Sequence, residues 1–232
     1  MTDKRQKKQG LSGTVLILLG LLCFAGAAFL TAYNYWDAAR AEKASREIML
    51  QMEKLVGETE DLSDPEKEDL PASLSESSMA LSDSSVEVSY REMPAVEIDG
   101  CMYIGFLNIP SLDLTLPVMQ KWDYERLKIS PCRYSGSYFT DDLVICAHNY
   151  ARHFSPVKGI SMGADVWFIT ASGKKIHYTA TNIQTIAPAD IREMIQNNKN
   201  SLSGSEWDLT LFTCNTGGTT RCAVRCERVD DK

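Results

Sequence analysis

The feature that most constrains this chain lies near its C-terminus. Two strand-like runs flank a glycine turn, and each carries a reactive side chain where it meets the turn. Leu209-Thr210-Leu211-Phe212-Thr213-Cys214 ends on a thiol, Asn215-Thr216-Gly217-Gly218 forms the turn, and the next run opens on Arg221. Far upstream, Leu143-Val144-Ile145-Cys146-Ala147-His148 is an apolar run that ends on an imidazole. Successive strand side chains alternate between faces. Leu209, Leu211 and Thr213 therefore share one face, and Thr210, Phe212 and Cys214 the other. Val144, Cys146 and His148 share a face of the upstream run. In the last run Cys222, Val224 and Cys226 form an apolar face, and Arg221, Ala223 and Arg225 point the opposite way. Groups at strand ends can converge at the rim of a sheet. A thiol, an imidazole and a guanidinium brought together there are the parts of a cysteine acyl-transfer site.

The same alternation recurs through the C-terminal part of the chain. Tyr103 to Ile109 reads as a strand stopped by Pro110, and Leu112 to Val118 as the next, with leucines alternating against Asp113, Thr115 and Pro117. Asp165 to Thr170 and Lys175 to Ile186 flank a Ser172-Gly173 hairpin turn. Asp208 to Cys214 and Arg221 to Val229 complete the set. Ala189 to Gln196 reads as a short helix. Many strands with little helix in residues 95–232 predict a mainly β domain, a closed or nearly closed barrel of about eight strands.

The N-terminus is different. Lys4, Arg5, Lys7 and Lys8 precede an uncharged run over residues 11–36 whose apolar core, Val15 to Tyr33, is close to the ~20 residues that cross a bilayer. Tyr33, Tyr35 and Trp36 form an interfacial belt, and the basic cluster predicts a cytoplasmic tail, residues 1–10, with the remainder outside. The competing reading is a cleaved signal peptide with a small-residue site at Ala25-Gly26-Ala27; the apolar run continues past that site and is long for such a segment. From Asp37 to Val56, Ala41, Ala44, Ile48, Met52 and Leu55 recur at helical spacing, which predicts a stalk helix that is marginal unless it packs on something. Between Gly57 and Met93 there are eleven acidic residues against two basic ones, a Ser- and Glu-rich linker that cannot bury a core. Residues 37–94 are thus expected to be stalk and linker.

The linker holds more than the whole formal net charge of −7, so the rest of the chain is close to neutral. No basic stripe follows a phosphate backbone, which excludes a nucleic-acid partner. Seven cysteines, an odd number, leave at least one free thiol. Cys222 and Cys226 lie about 13 Å apart along a strand, too far to bridge. Apart from Cys214, the cysteines read as small buried hydrophobes.

Within the site, Cys214 is the candidate nucleophile, once its thiolate is formed. His148 is the candidate acid and base, protonating a leaving amine and deprotonating an incoming one. Arg221 is the candidate oxyanion donor. Arg225 and Arg228 compete for that role, and Arg225 even shares a face with Arg221, but only Arg221 adjoins the turn. His153 and His177 read as non-catalytic, and the His148–His153 spacing does not match a helical metal pair.

A TLxTC strand with an arginine seven residues on, and an upstream strand ending in histidine, resembles the sortases, membrane-anchored cysteine transpeptidases of mainly Gram-positive bacteria. The similarity runs from Tyr103-Ile104-Gly105-Phe106-Leu107-Asn108-Ile109-Pro110, through Tyr134-Ser135-Gly136-Ser137 and Asp142 to Tyr150, to the final two strands. The N-terminal anchor and the end of the chain just after the last strand look most like class B or B-like members. The resemblance implies cleavage of a sorting signal near the C-terminus of a secreted protein, typically after Thr. A thioester on Cys214 would then be transferred to an amine of a peptidoglycan precursor or a pilin lysine. It implies no metal and no organic cofactor, and a substrate groove beside the loop Ala187 to Glu206, with Thr213 and Ile186 as groove residues. Some members carry an Asp-Pro-aromatic lid; here Asp64-Pro65 is followed by Glu66, and no lid is inferred. Two other readings stand beside transpeptidation: a membrane-anchored cysteine endopeptidase without transfer, and a non-catalytic scaffold that binds sorting signals.

Overall fold

Period-two patterning produces strands, and the computed structural model shows how they close. It describes residues 6–60, 92–195 and 207–229. The elements run in the order α1 (Gln6–Glu60), β1 (Val96–Ile98), β2 (Cys101–Ile109), β3 (Leu114–Met119), α2 (Tyr124–Leu127), β4 (Cys132–Ser135), β5 (Leu143–Cys146), β6 (Asp165–Thr170), β7 (Lys175–Ile186), α3 (Ile191–Ile195), β8 (Leu209–Cys214) and β9 (Arg221–Arg228).

Among the described residues the strands lie in the order β1-β2-β3-β4-β5-β8-β9-β7-β6, and β6 pairs back onto β2. Eight strands therefore close into a barrel, with β1 added on β2 outside the ring. The β3–β4 and β5–β8 pairs are parallel, and the others antiparallel. A parallel pair needs a crossover. The short one carries α2; the long one, from β5 to β8, contains β6, β7 and α3. Leu107, Ile109, Leu116, Val118, Leu143, Ile145, Phe168, Tyr178, Leu209, Leu211 and Val224 fill the interior. Gly105 allows the closure. Its φ is +148°, and a Cβ there would lie 2.1 Å from the Ile169 carbonyl oxygen on β6. Only a residue without a side chain lets the two backbones approach so closely.

Several elements differ from the expectation. The second strand starts at Leu114, because Pro110 opens a short 3-10 turn that ends on Asp113 in the left-handed region (φ 48°). The run expected from Leu143 to His148 pairs as a strand only to Cys146, which leaves His148 two residues beyond it. β1, α2 and β4 were not anticipated.

The N-terminal helix is continuous from Gln6 to Glu60, about 80 Å at 1.5 Å per residue. Residues 13–36 of it are exposed and mostly apolar, with a stretch of mean hydropathy 2.5, long enough by length and composition to cross a membrane. Its second half is not a free stalk. Ala41, Ser45, Ile48, Met49, Met52 and Val56 are buried. Ile48, Met52 and Val56 join a second apolar cluster with Ile98, Tyr103, Met119 and Leu127 on the outer face of the barrel. Leu55, expected on this face, is 40% exposed, and Val56 takes its place. The packing supplies what an isolated helix of this length lacks. Asp64-Pro65 and most of the acidic linker lie outside the described residues.

Met52 is fully buried in this contact. Met52→Asp is expected to lower barrel stability by about 3 kcal/mol, because a carboxylate loses its water there without gaining a partner. Thermal unfolding of the intact chain checks this; an unchanged midpoint would mean that the helix does not pack on the barrel.

Candidate active site

β5 and β8 run parallel in register, Leu143 opposite Leu209 and Cys146 opposite Phe212. The pairing outlasts the strands: the Ala147 amide donates to the Phe212 carbonyl (3.2 Å), and the Thr213 hydroxyl donates to the Ala147 carbonyl (2.9 Å). His148 and Cys214 therefore leave adjacent strands at the same level. Alternation sends Leu209 and Leu211 into the barrel and Phe212 to the outer cluster, so Cys214 also faces outward. On the other side, Cys214 is directly opposite Arg221 across the β8–β9 hairpin. The hairpin loop is closed by the Asn215 amide to the Thr220 carbonyl and the Gly218 amide to the Asn215 carbonyl, both 2.9 Å, with Gly217 and Gly218 at positive φ. Register alone thus aligns imidazole, thiol and guanidinium.

All three line one cavity of about 200 Å³. The rest of its wall is mostly apolar: Trp122, Tyr124, Leu127, Tyr134, Cys146, Pro188, Ile191, Met194 and Phe212. Tyr134 lies between Trp122 (centroids 5.2 Å) and Phe212 (5.1 Å, edge to face). Such aromatic contacts make a rigid wall. Pro188, Ile191 and Met194 come from the segment expected to border the groove; Trp122 and Tyr134 were not foreseen. Thr213 and Ile186 do not line the cavity. Both are buried, Thr213 tying β8 to the end of β5 and Ile186 sitting in the outer apolar cluster.

The side chains fall into distinct electrostatic roles. Burial lowers the His148 pKa; the Asp37 carboxylate opposes this shift and the Lys128 ammonium adds to it. All seven cysteines are free thiols. Burial raises the pKa of Cys222, pushes Cys132 up to about 12 and holds Cys146 well above the ordinary thiol range, whereas Cys214 is partly exposed. Arg221 donates from Nη1 to the carbonyls of Gly218 (3.0 Å) and Thr220 (3.3 Å), which holds it over the turn. Arg225 is fully buried and committed elsewhere. It donates to Gln184 Oε1 (3.0 Å), Thr210 Oγ1 (2.8 Å) and the Met194 (3.1 Å) and Glu193 (2.5 Å) carbonyls, and its guanidinium lies over Trp207. It pins the C-terminal end of α3 to the barrel. Arg228 pairs with Asp141 at 2.8 Å.

His177 stacks on Trp167 (4.0 Å) and pairs with Asp165 (2.7 Å), away from the cavity. His153 is fully buried, its Nε2 3.3 Å from Ser45 Oγ. Burial holds its pKa down to about 4. The unfolded chain binds a proton near pH 6.5, so between those values it holds a proton that the folded chain lacks. Stability therefore falls as the pH drops from about 6.5 toward 4, by about 3 kcal/mol in total. His153→Gln should flatten the pH dependence of the unfolding midpoint in that range; an unaltered slope would assign the effect to other groups.

An eight-stranded barrel that presents a thiol, an imidazole and a guanidinium in one rim cavity has the architecture of a cysteine acyl-transfer enzyme. The family model of the sortase domain matches residues 107–229. The chain belongs to the sortase family and is a cysteine transpeptidase of that kind. It is similar to solved structures of sortase C1 from Streptococcus agalactiae (23% identity over 59% of this chain and 72% of that one, TM-score 0.48) and sortase C from Streptococcus pneumoniae (23%, 56% and 70%, 0.46). It is also similar to a lid mutant of sortase A from Corynebacterium diphtheriae (22%, 56% and 71%, 0.46). No curated protein matches the chain.

Proposed function

We propose that this chain is a single-pass membrane enzyme, its N-terminus cytoplasmic and its barrel outside, most like class B or B-like sortases. It joins secreted proteins carrying a C-terminal sorting signal to an amine of a peptidoglycan precursor or a pilin lysine. The observation that supports this most is the shared register of β5, β8 and β9, which aligns His148, Cys214 and Arg221 on one cavity. The Cys214 thiolate attacks the scissile carbonyl carbon, and Arg221 donates to the oxygen as negative charge develops. The C–N bond then breaks, His148 gives its proton to the departing amine, and a thioester remains on Cys214. The incoming amine attacks that thioester, His148 takes its proton, and the new amide leaves as the thiolate is restored. The apolar wall of Trp122, Tyr134, Leu127 and Ile191 suits the apolar side chains of a sorting signal.

The test uses the intact chain in detergent micelles with LPxTG-like and NPxTx-like peptides, plus a glycine oligomer or a diaminopimelate-type amine. Mass spectrometry should detect an amine-ligated peptide that disappears in Cys214→Ala. Hydrolysed peptide alone, whatever the amine, would instead favour the endopeptidase. Peptide binding without cleavage, equal in Cys214→Ala, would favour the scaffold.

A further inference from the structure

The loop that carries His148 is fastened to the N-terminal helix by Tyr150 on Asp37, by His153 on Ser45 and by an ion pair of Arg152 with Glu42 at 3.6 Å. The Tyr150 hydroxyl donates to Asp37 Oδ2 at 2.5 Å, its one hydroxyl partner among the described residues. Asp37 is the residue after Trp36, at the outer end of the apolar span. Its other carboxylate oxygen accepts from Arg40 Nη2 at 3.0 Å, which sets its orientation. The Tyr150 ring lies 5.0 Å from the His148 ring and 5.4 Å from the His153 ring. Two turns further along α1, Ser45 approaches His153 Nε2 and donates to the Ile129 carbonyl at 2.7 Å. Backbone bonds fold the loop on itself: the Phe154 amide donates to the His148 carbonyl, and the His153 and Ser155 amides to that of Tyr150. A displacement of α1 would therefore move the phenol that packs on the imidazole.

We propose that Tyr150 and Asp37 are positioning residues for His148, the Asp37 carboxylate, in α1 just past its apolar span, fixing the phenol against the imidazole, so that the anchor helix is a working part of the catalytic site. The inference rests on the acid–base role of His148. It makes the helix more than a tether: a chain lacking residue 37 loses the carboxylate that holds the phenol packed on the imidazole. Among the described residues, the charged and titratable groups on the elements that meet His148 are Asp37, with Arg40 beside it, and Glu42 from α1, Lys128 from the turn after α2, Tyr150, Arg152 and His153 from its own loop, Cys214 from β8 and Arg221 from β9. Asp37 favours the imidazolium and Lys128 disfavours it.

The experiment compares intact wild type, Tyr150→Phe, Asp37→Asn and His148→Ala in detergent micelles. Two readouts are used: the rate of iodoacetamide alkylation at Cys214 against pH, resolved by peptide mass spectrometry, and kcat and KM for the peptide cleaved by wild type. Tyr150→Phe keeps the ring and loses the tether; it should lower kcat about tenfold with KM little changed, as misorientation of an acid–base group does. Asp37→Asn keeps an acceptor for Tyr150 and removes the charge, so it should shift the His148-dependent limb of the alkylation profile to lower pH. Wild-type kcat and an unshifted profile in both variants would overturn the proposal while leaving the proposed function intact. If His148→Ala alters neither readout, the acid–base assignment fails and the positioning role falls with it. Asp37→Asn is nearly isosteric and keeps the test decisive should Tyr150→Phe fold poorly.

Discussion

Cys214→Ala abolishes cleavage and transfer together, reducing kcat/KM by about 10⁴-fold or more, with the unfolding midpoint essentially unchanged. The expectation follows from where the thiol sits. Cys214 ends β8 facing the cavity and is partly exposed, so replacing it removes little packing. The other barrel cysteines do not substitute for it. Cys132, Cys146, Cys222 and Cys226 are buried, and burial disfavours their thiolates. Continuous assays of peptide cleavage and of the ligated product check both activities. Residual transfer well above background in the variant would assign the chemistry to another group.

The second large effect separates two arginines on one face of β9. Arg221→Ala should reduce kcat by about 10²–10³-fold, the usual loss of one oxyanion donor, with little change in stability. Among the described residues its side chain donates to two carbonyls of the adjoining turn. Arg225→Ala should instead destabilise the fold by about 3 kcal/mol or more, because Gln184, Thr210 and the Glu193 and Met194 carbonyls lose their donor in a buried site. Kinetics and thermal unfolding of both variants distinguish the roles. Arg225→Ala with intact stability and lost activity would reverse the assignment.

Much of this arrangement was legible in the sequence because strand alternation is a local rule. β6 and β7 have the bounds that their patterning predicts, and the two faces of β8 divide as expected between the barrel interior and the outer cluster. Adjacency to the turn singled out Arg221 over Arg225, and Arg221 is the one of the two that lines the cavity with His148 and Cys214. What stayed hidden depends on distant partners. β4 is four residues long, follows Pro131 and pairs with β3 through a single bridge, so no periodicity marks it. The helical spacing of Ile48 and Met52 was visible, but the surface that receives them is built from β1, β2, β3 and the turn after α2. Ser45 and Asp37 look like ordinary helix-surface residues until the loop after β5 is folded against them. Trp122 and Tyr134 reach the cavity only through the β3–β4 crossover.

The packing of α1 also bears on how such an enzyme is handled. A fragment beginning at Ala95 lacks Ile48, Met52 and Val56, which in the intact chain complete the apolar cluster of Ile98, Tyr103 and Met119. The intact chain is therefore the form in which the chemistry should be measured. The most direct measurement is to mix it with a cleavable sorting peptide, quench with acid within the first turnover and map the acyl adduct by mass spectrometry. The account predicts the N-terminal part of the peptide on Cys214 as a thioester that hydroxylamine releases as a hydroxamate. Peptide cleavage at the normal rate with no adduct, or an adduct on any other residue, would contradict it.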